Sequence, residues 1–259
     1  MTATISLEEL IASSALLSRL DRKYLVNARD LPALSEAVLP SARVLEIDGL
    51  TWFGYRSVYY DTDALRCYTD AGRGRRRRFK VRTRQYEHTG DSWLEVKTRG
   101  PRGSTIKDRL PRAGASADLA PTESDWLAHT LQARRIPAPP VRSEWGAGEL
   151  RPTLTTSYLR RTLQVSPGAD QPPSRVTFDV GLDCELPDDA PGGAVSAGFE
   201  RFVIVETKGT THPSSVDRLL WSMGHRPISI SKYGVGIATL RTDQPPLKWH
   251  HLLAHQLAG

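Results

Sequence analysis

The sequence predicts an α+β fold: a closed antiparallel β-barrel with a basic interior and helices packed on its outside. Two observations carry that prediction. Charged and apolar residues alternate at the period of a strand through several long segments, and the helical segments fall between groups of those strands. A sheet face lined with charge cannot be the core of an ordinary sandwich, because burying unpaired charge costs several kcal/mol per ion. A closed barrel accommodates it: the wet interior takes the charged face, and helices cover the apolar one.

Taken in order, Ser6 and Glu9 form a capping box that opens a helix expected over residues 6–20. Residues 21–26 read as a strand, with Asp21, Lys23 and Leu25 on one side and Arg22, Tyr24 and Val26 on the other. A second helix is expected over 30–38, with Asp30 as N-cap and Pro32 in its first turn. Residues 44–47 and 54–61 are strand-like, and 63–70 make a short helix closed by Gly72. Residues 75–86 form the most cationic segment. As a strand it sets Arg76, Arg78, Lys80, Arg82 and Arg84 on one face, about 7 Å apart, opposite Phe79, Val81 and Thr83. Such a row repels itself unless an anion lies along it, and a linear polyanion fits; the bland alternative is a solvated arginine run.

A turn at 88–91 leads into a strand over 92–99, with Trp93, Glu95, Lys97 and Arg99 on one face, so a hairpin sets Glu95 and Lys97 beside the cation row. Residues 101–121 are polar and rich in Gly, Ala and Ser, and read as a loop. A helix over 124–135 and a proline-rich linker at 136–140 follow. Alternation returns at 155–165, where Tyr158, Arg160 and Gln164 share a face, and at 175–183, where Arg175, Thr177, Asp179 and Asp183 oppose Val176, Phe178, Val180 and Leu182. A turn separates these two strands at 166–174, and 187–198 is a loop. The strand at 199–208 carries Ile204, Glu206 and Lys208 on one face. A helix is expected over 214–224, and 228–240 mixes strand with a short helical end.

Composition bounds the function. The chain has 259 residues, 39% hydrophobic and 25% charged, an ordinary globular balance read as one domain spanning 1–259. A net charge of +6 favours anionic partners. Cys67 and Cys184 lack metal-ligand spacing, so neither a disulfide framework nor a zinc site is expected. No apolar run is long enough for a transmembrane helix and the N-terminus does not read as a secretory signal, which makes a cytoplasmic location the expectation. The seven histidines show no zincin spacing, and Gly72-Arg73-Gly74 is not a phosphate loop.

Seven short motifs then appear in order: Asp21-Arg22-Lys23-Tyr24, Tyr59-Tyr60-Asp61-Thr62, Lys80-Val81-Arg82-Thr83-Arg84, Glu95-Val96-Lys97-Thr98, Tyr158-Leu159-Arg160, Val205-Glu206-Thr207-Lys208 and Ser231-Lys232-Tyr233. Together they resemble the VTC domain, the catalytic domain of the vacuolar transporter chaperone polyphosphate polymerases, which belongs to the CYTH-like triphosphate tunnel metalloenzymes. The resemblance covers a core of about residues 18–240. It implies a tunnel barrel that binds a triphosphate with a divalent metal, Mn²⁺ or Mg²⁺, and moves the γ-phosphate of ATP onto a growing polyphosphate chain.

By position, the resemblance implies catalytic roles for Lys23, Lys97, Arg82 and Arg84, and phosphate contacts for Arg160, Arg175, Lys208 and Lys232. Arg78 and Lys80 join them from the cation row. Glu206 resembles the metal-holding glutamate. Glu95 is read first as a counter-charge to a neighbouring arginine and second as a ligand. Asp21 stands where the family more often has Glu, and Thr155 where it commonly has Arg, with Arg151 nearby but out of register. The SPX module and membrane helices of the eukaryotic complexes have no counterpart, which leaves room for a separate membrane partner. Three readings stand: a polyphosphate polymerase; a tunnel hydrolase of triphosphates, with Glu95 or Asp179 orienting water; and a non-catalytic polyphosphate or nucleic-acid binding module. For the two enzymes nucleic acid is not an expected partner.

Overall fold

A computed structural model of the chain describes residues 2–13, 20–100, 104–137, 149–166, 173–191, 193–210 and 212–254. The elements are β1 (Thr4–Ile5), α1 (Leu7–Ala12), β2 (Leu20–Asn27), α2 (Leu31–Val38), β3 (Ala42–Leu45), β4 (Phe53–Asp61), α3 (Arg66–Gly72), β5 (Phe79–Tyr86), β6 (Ser92–Arg99), β7 (Thr105–Arg112), α4 (Pro121–Ala133), β8 (Arg151–Val165), β9 (Ser174–Glu185), β10 (Ser196–Gly198), β11 (Phe202–Gly209), α5 (Ser215–Ser222), α6 (Lys232–Leu240) and α7 (His250–Leu252). Short 3₁₀ turns lie at Ala28–Asp30, Leu39–Ser41 and Leu247–Trp249. The described residues fall into two compact units, one drawn from 1–54, 158–182 and 199–230, the other from 55–157, 183–198 and 231–259. The long strands β8 and β9 contribute residues to both.

In the first unit the strand order is β2-β11-β9-β8. β11 is antiparallel to both β2 and β9, β3 is antiparallel to β8, and β1 pairs with β3 in parallel. Alternation sends Tyr24, Val26, Val176, Phe178, Val203 and Val205 to one face, where they form a core with Leu34 and Val38 of α2 and Val216 and Leu220 of α5. Under that core lies Asp217. Its buried carboxylate accepts hydrogen bonds from Tyr24 Oη (2.7 Å), Thr207 Oγ1 (2.6 Å), Ser214 N (2.7 Å) and Ser214 Oγ (2.9 Å). This one group ties two strands to the N-terminus of α5. The opposite face carries the charges, and α1 reaches it: Gln164 Nε2 donates to Ser13 Oγ (2.6 Å) and Arg175 Nη2 to the Leu10 carbonyl (3.1 Å).

In the second unit the order is β8-β4-β5-β6-β7, antiparallel from β4 to β7, with β10 added to the end of β9. Phe79, Val81, Leu94 and Val96 are buried, as are Leu127 and Leu131 of α4, which packs on β6. Leu65, at the N-cap position of α3, has φ +50 and offers no capping side chain. Asp61 takes that role from the end of β4. Its Oδ1 accepts from the amides of Thr62 (2.8 Å) and Cys67 (2.7 Å), and its Oδ2 from the Tyr68 amide (2.9 Å) and Tyr233 Oη (2.5 Å). One carboxylate thereby fastens α3 and α6 to β4.

Several expectations need correction. The segment expected as a loop over 101–121 contains β7. Its alternation (Ile106, Asp108 and Leu110 against Lys107 and Arg109) is that of a strand, and Pro111 is tolerated because β7 ends its unit's strand order. Arg75 to Arg78 are not part of β5, which begins at Phe79. They form a turn, so the cation row of that strand shortens to Lys80, Arg82 and Arg84. The first helix stops at Ala12, residues 14–19 lying outside the described residues, and Leu20 already belongs to β2. Asp30 makes no side-chain cap; instead Asn27 Oδ1 accepts from the Arg29 amide (3.1 Å). Residues 228–231 are neither strand nor helix, and α6 begins at Lys232. β10 lies within the expected loop at 187–198. The turn at 166–174 and the linker at 136–140 fall largely outside the described residues. β2 and β7 each have one strand neighbour among the described residues, so hydrogen bonds do not close the sheet. Cys67 and Cys184 are free and buried. No helix among the described residues is long and apolar enough to cross a membrane.

Two carboxylates are thus expected to dominate stability. Asp61→Ala strands three amides and a phenol, and should lower unfolding free energy in urea by about 2–3 kcal/mol. Asp217→Ala should cost a similar amount. Burial opposes ionisation of Asp217, but hydrogen bonds from Thr207, Tyr24 and Ser214 hold its carboxyl below the ordinary value. Its contribution is then complete above the unfolded carboxyl's pKa of about 3.9 and fades as pH falls through the lower folded value. Wild type should therefore lose more stability on acidification than Asp217→Asn; equal slopes would overturn the assignment.

Candidate functional site

The second unit presents a cationic sheet face whose members are fixed by strand register. Lys80 lies opposite Lys97, and Lys97 opposite Lys107. One rung along, Arg82 lies opposite Glu95, and Glu95 opposite Arg109. β4 sets Tyr59 beside Arg82 and Ser57 beside Arg84. Arg82 and Arg84 are buried, with 7% and 8% of their surface exposed, and Glu95 is buried at 1%.

Glu95 is the anion at the centre of this face. Its Oε2 accepts from Arg82 Nε (2.8 Å) and Nη2 (2.6 Å), and its Oε1 from Lys107 Nζ (2.8 Å). Burial pushes the carboxyl up, but Arg82, Arg84 and Lys107 more than reverse it and hold Glu95 far below the usual carboxylate range. Lys97 responds in the opposite sense. The Arg82 guanidinium, burial and Arg84 hold its ammonium well below the usual lysine value. Lys80 Nζ donates to Ser231 Oγ (2.7 Å), and that hydroxyl also caps α6 by accepting from the Gly234 amide (3.3 Å). This places Lys80 at the helix N-terminus, next to Lys232. Arg109 stacks on Trp93, with Cζ 4.4 Å from the ring centroid.

Tyr59 is buried in the same face. Its hydroxyl accepts from Arg82 Nη1 (3.2 Å), and its ring stacks on Tyr233 at 5.1 Å. Burial would raise the phenol, but Arg82, Lys80, Arg84 and Lys232 bring it down to about 8.

The first unit has its own charged face. Glu206 lies opposite Lys23 on β2, and Lys208 opposite Asp21 on β2 and Arg175 on β9. Glu206 sits 3.4 Å from Lys23 Nζ and 3.7 Å from Lys208 Nζ. Arg160 grips Asp179 with two bonds, Nε to Oδ1 (2.6 Å) and Nη2 to Oδ2 (2.8 Å). Burial alone would weaken the Arg160 charge, yet Asp179, with Tyr158 and Glu206, holds its proton more tightly than usual. Burial lowers Lys208, against the pull of Glu206 and Asp21.

The structure thus gathers Lys80, Arg82, Arg84, Lys97 and Glu95 in one unit, with Lys232 at the start of α6, and Lys23, Glu206, Lys208, Arg160 and Arg175 in the other. Arg78 is not on the strand; its guanidinium donates back to the carbonyls of Gly74 (3.2 Å) and Arg75 (2.7 Å). Arg151 does not stand in for the arginine missing at Thr155, since it pairs with Asp63 (2.6 Å). Sequence reasoning missed Lys107 and Arg109, whose alternation was legible but fell in an expected loop. It also gave no role to Tyr59, which no periodicity distinguishes from its buried neighbour Tyr60.

No curated protein matches the chain. Among solved structures it is similar to HpAC1 from Hippeastrum, an adenylyl cyclase candidate with a dominant triphosphatase activity (18% identity, 89% of this chain and 99% of that one, TM-score 0.48). An adenylate cyclase candidate from Vibrio parahaemolyticus (12% identity, 82% and 94% covered, TM-score 0.40) and a conserved hypothetical protein from Pyrococcus furiosus (10% identity, 80% and 88% covered, TM-score 0.38) are also similar. The model of the VTC domain matches residues 18–241, and with most of the chain inside that match, this protein belongs to the VTC domain family.

Proposed function

We propose that this protein is a metal-dependent polyphosphate polymerase that transfers the γ-phosphate of ATP to a growing inorganic polyphosphate chain. The observation that carries the reading is the buried face of β5 and β6, where Lys80, Arg82, Arg84 and Lys97 stand around the single carboxylate of Glu95. Phosphoryl transfer needs positioning and charge neutralisation more than covalent chemistry, and this face supplies both. Arg84 and Arg82 offer planar guanidinium groups to non-bridging oxygens. Lys97, whose ammonium is disfavoured by Arg82, burial and Arg84, gains stabilisation of its charge from a phosphate anion. Lys80 and Lys232 add point charges at the N-terminus of α6. From the other unit, Lys23, Lys208, Arg160 and Arg175 are proposed to contact phosphate, and each unit's share is testable by its own variants. The family's closed tunnel is part of the same proposal.

A divalent cation fits the donor set in a limited way. No cluster of three or more His, Cys, Asp or Glu side chains exists among the described residues. Glu206, held between Lys23 and Lys208, would hold Mn²⁺ or Mg²⁺ as one hard oxygen ligand, the remainder coming from phosphate oxygens. When bound, the cation would neutralise charge on the transferring phosphate. Transfer is favoured over hydrolysis because both candidate water-orienting carboxylates are already occupied, Glu95 by Arg82 and Lys107 and Asp179 by Arg160. A phosphate acceptor arrives ionised and needs no such base.

Incubation with ATP and Mn²⁺ should yield ADP and a ladder of long chains on a sizing gel; orthophosphate without a ladder would replace the polymerase with a hydrolase. Glu206→Gln should abolish turnover while sparing triphosphate binding, and retained turnover would remove the metal role. Arg84→Ala should weaken triphosphate binding by about 10- to 100-fold, measured by calorimetry. Arg84 is a cleaner probe than Arg82, whose loss also disturbs Glu95. Ionisation of Tyr59 near pH 8 places a phenolate among the cations. Triphosphate affinity should therefore fall as pH rises through that value, and Tyr59→Phe should shrink the fall; identical pH profiles would overturn the assignment.

A further inference from the structure

Ahead of β5 the chain makes a hydrogen-bonded turn that carries Arg73, Arg75, Arg76, Arg77 and Arg78. The Arg73 amide donates to Thr69 O (2.9 Å), the Arg75 amide to Asp70 O (2.9 Å) and the Arg78 amide to Arg75 O (3.4 Å). Gly74 turns the backbone with φ +68, and Gly72 lies so close to Leu247 that a Cβ there would collide with its side chain. The arginine run is therefore a seated turn rather than a loose tail. Its contact with the Leu247–Trp249 segment brings Lys248 into the same field.

The strand register extends the patch. Phe79 pairs with Thr98, which brings Arg78 and Arg99 to the adjoining ends of β5 and β6. Lys248 and Arg78 hold their protons less tightly than usual, first because of partial burial and then by repulsion, Lys248 from Arg78 and Arg99, and Arg78 from Arg99. The nearest acidic side chain in sequence, Asp70, pairs with Arg66 (3.8 Å). Arg73, Arg75, Arg76, Arg77, Arg99 and Lys248 are exposed and have no carboxylate partner among the described residues. Such a cluster repels itself in the free protein and gains from any ligand with closely spaced negative charge. The aromatic rings beside it, Phe79 and Trp249, are buried. A surface for single-stranded nucleic acid would offer rings for base stacking; this one offers charge alone.

We propose that the Arg73–Arg77 turn, with Arg99 and Lys248, is a landing surface for the outer length of an inorganic polyphosphate chain. It continues the Lys80–Lys97 rung outward yet is separate from the buried face that takes a triphosphate. The inference rests on the polyphosphate reading above and adds to it a basis for preferring long chains over short ones.

The test compares wild type with the triple variant Arg73→Gln, Arg75→Gln, Arg77→Gln, using inorganic triphosphate and long-chain polyphosphate as probes. Triphosphate affinity should be unchanged. Long-chain affinity should fall by at least about tenfold, and the slope of its logarithm against the logarithm of salt should become shallower by about 2. A second variant, Arg99→Gln with Lys248→Gln, should show the same split. Unchanged long-chain affinity in both variants overturns the proposal, as does an equal loss for triphosphate. So does a single-stranded oligonucleotide of matched charge that binds wild type as tightly as polyphosphate and is lost in the same variants. A wild type that makes no polymer from ATP would defeat the proposed activity and leave this binding measurement intact.

Discussion

Glu95 is the constraint on which the cationic face of β4 to β7 depends. Neighbouring strands lie about 4.8 Å apart, and two like charges at that distance repel by about 3 kcal/mol at an effective dielectric of about 20. The register stacks Lys80, Lys97 and Lys107 in one rung and flanks Glu95 with Arg82 and Arg109 in the next. Without an anion the two rungs would oppose folding of the sheet that carries them. Glu95 binds Arg82 on one oxygen and Lys107 on the other, and so joins the rungs diagonally. A buried ion pair is a weak source of net stability, so its value lies in allowing a face this positive to exist. The balance stays incomplete: beside Arg82 and Arg84 and out of water, the Lys97 ammonium is held well below the usual lysine value.

The first unit meets the same problem with one carboxylate held tightly and one held at longer range. Asp179 is clamped by Arg160 in a two-point grip. Glu206 stands at 3.4 and 3.7 Å from two lysines whose stems can swing. The difference decides which carboxylate can change partners. To reach a metal, Asp179 would have to surrender two short charge-assisted hydrogen bonds. The contacts of Glu206 to Lys23 and Lys208 are longer and end on flexible stems. Within the proposed function, this contrast supports Glu206 over Asp179 as the carboxylate that would meet a metal.

Much of this was legible in the sequence because strand period is a strong signal wherever one face is apolar. Val176, Phe178, Val203 and Val205 against Arg175, Asp179, Glu206 and Lys208 sort without ambiguity, and the structure places them as sorted. The sorting failed where composition overrode period. β7 was hidden by Pro111 and by its polar surroundings, although its alternation is regular. The arginine run was over-extended into a strand because alternation of one residue type carries no information about faces: every position from Arg75 to Arg78 is the same. Roles that depend on partners distant in sequence were invisible. Asp61 and Asp217 lie in unremarkable local contexts, and only folding brings Tyr233 to one and Tyr24 to the other.

The proton inventory of the second unit's face bears on how the proposed polyphosphate chain would be held. Arg82, burial and Arg84 hold Lys97 below the usual lysine value, and the surrounding cations bring the Tyr59 phenol down to about 8. A phosphate anion at this face stabilises positive charge on Lys97 and opposes negative charge on Tyr59, so binding would tighten the proton on both. Under the proposed polymerase activity, a chain that advances by one phosphate at each transfer is better served by groups whose charge responds to the phosphate than by permanently charged guanidinium groups alone.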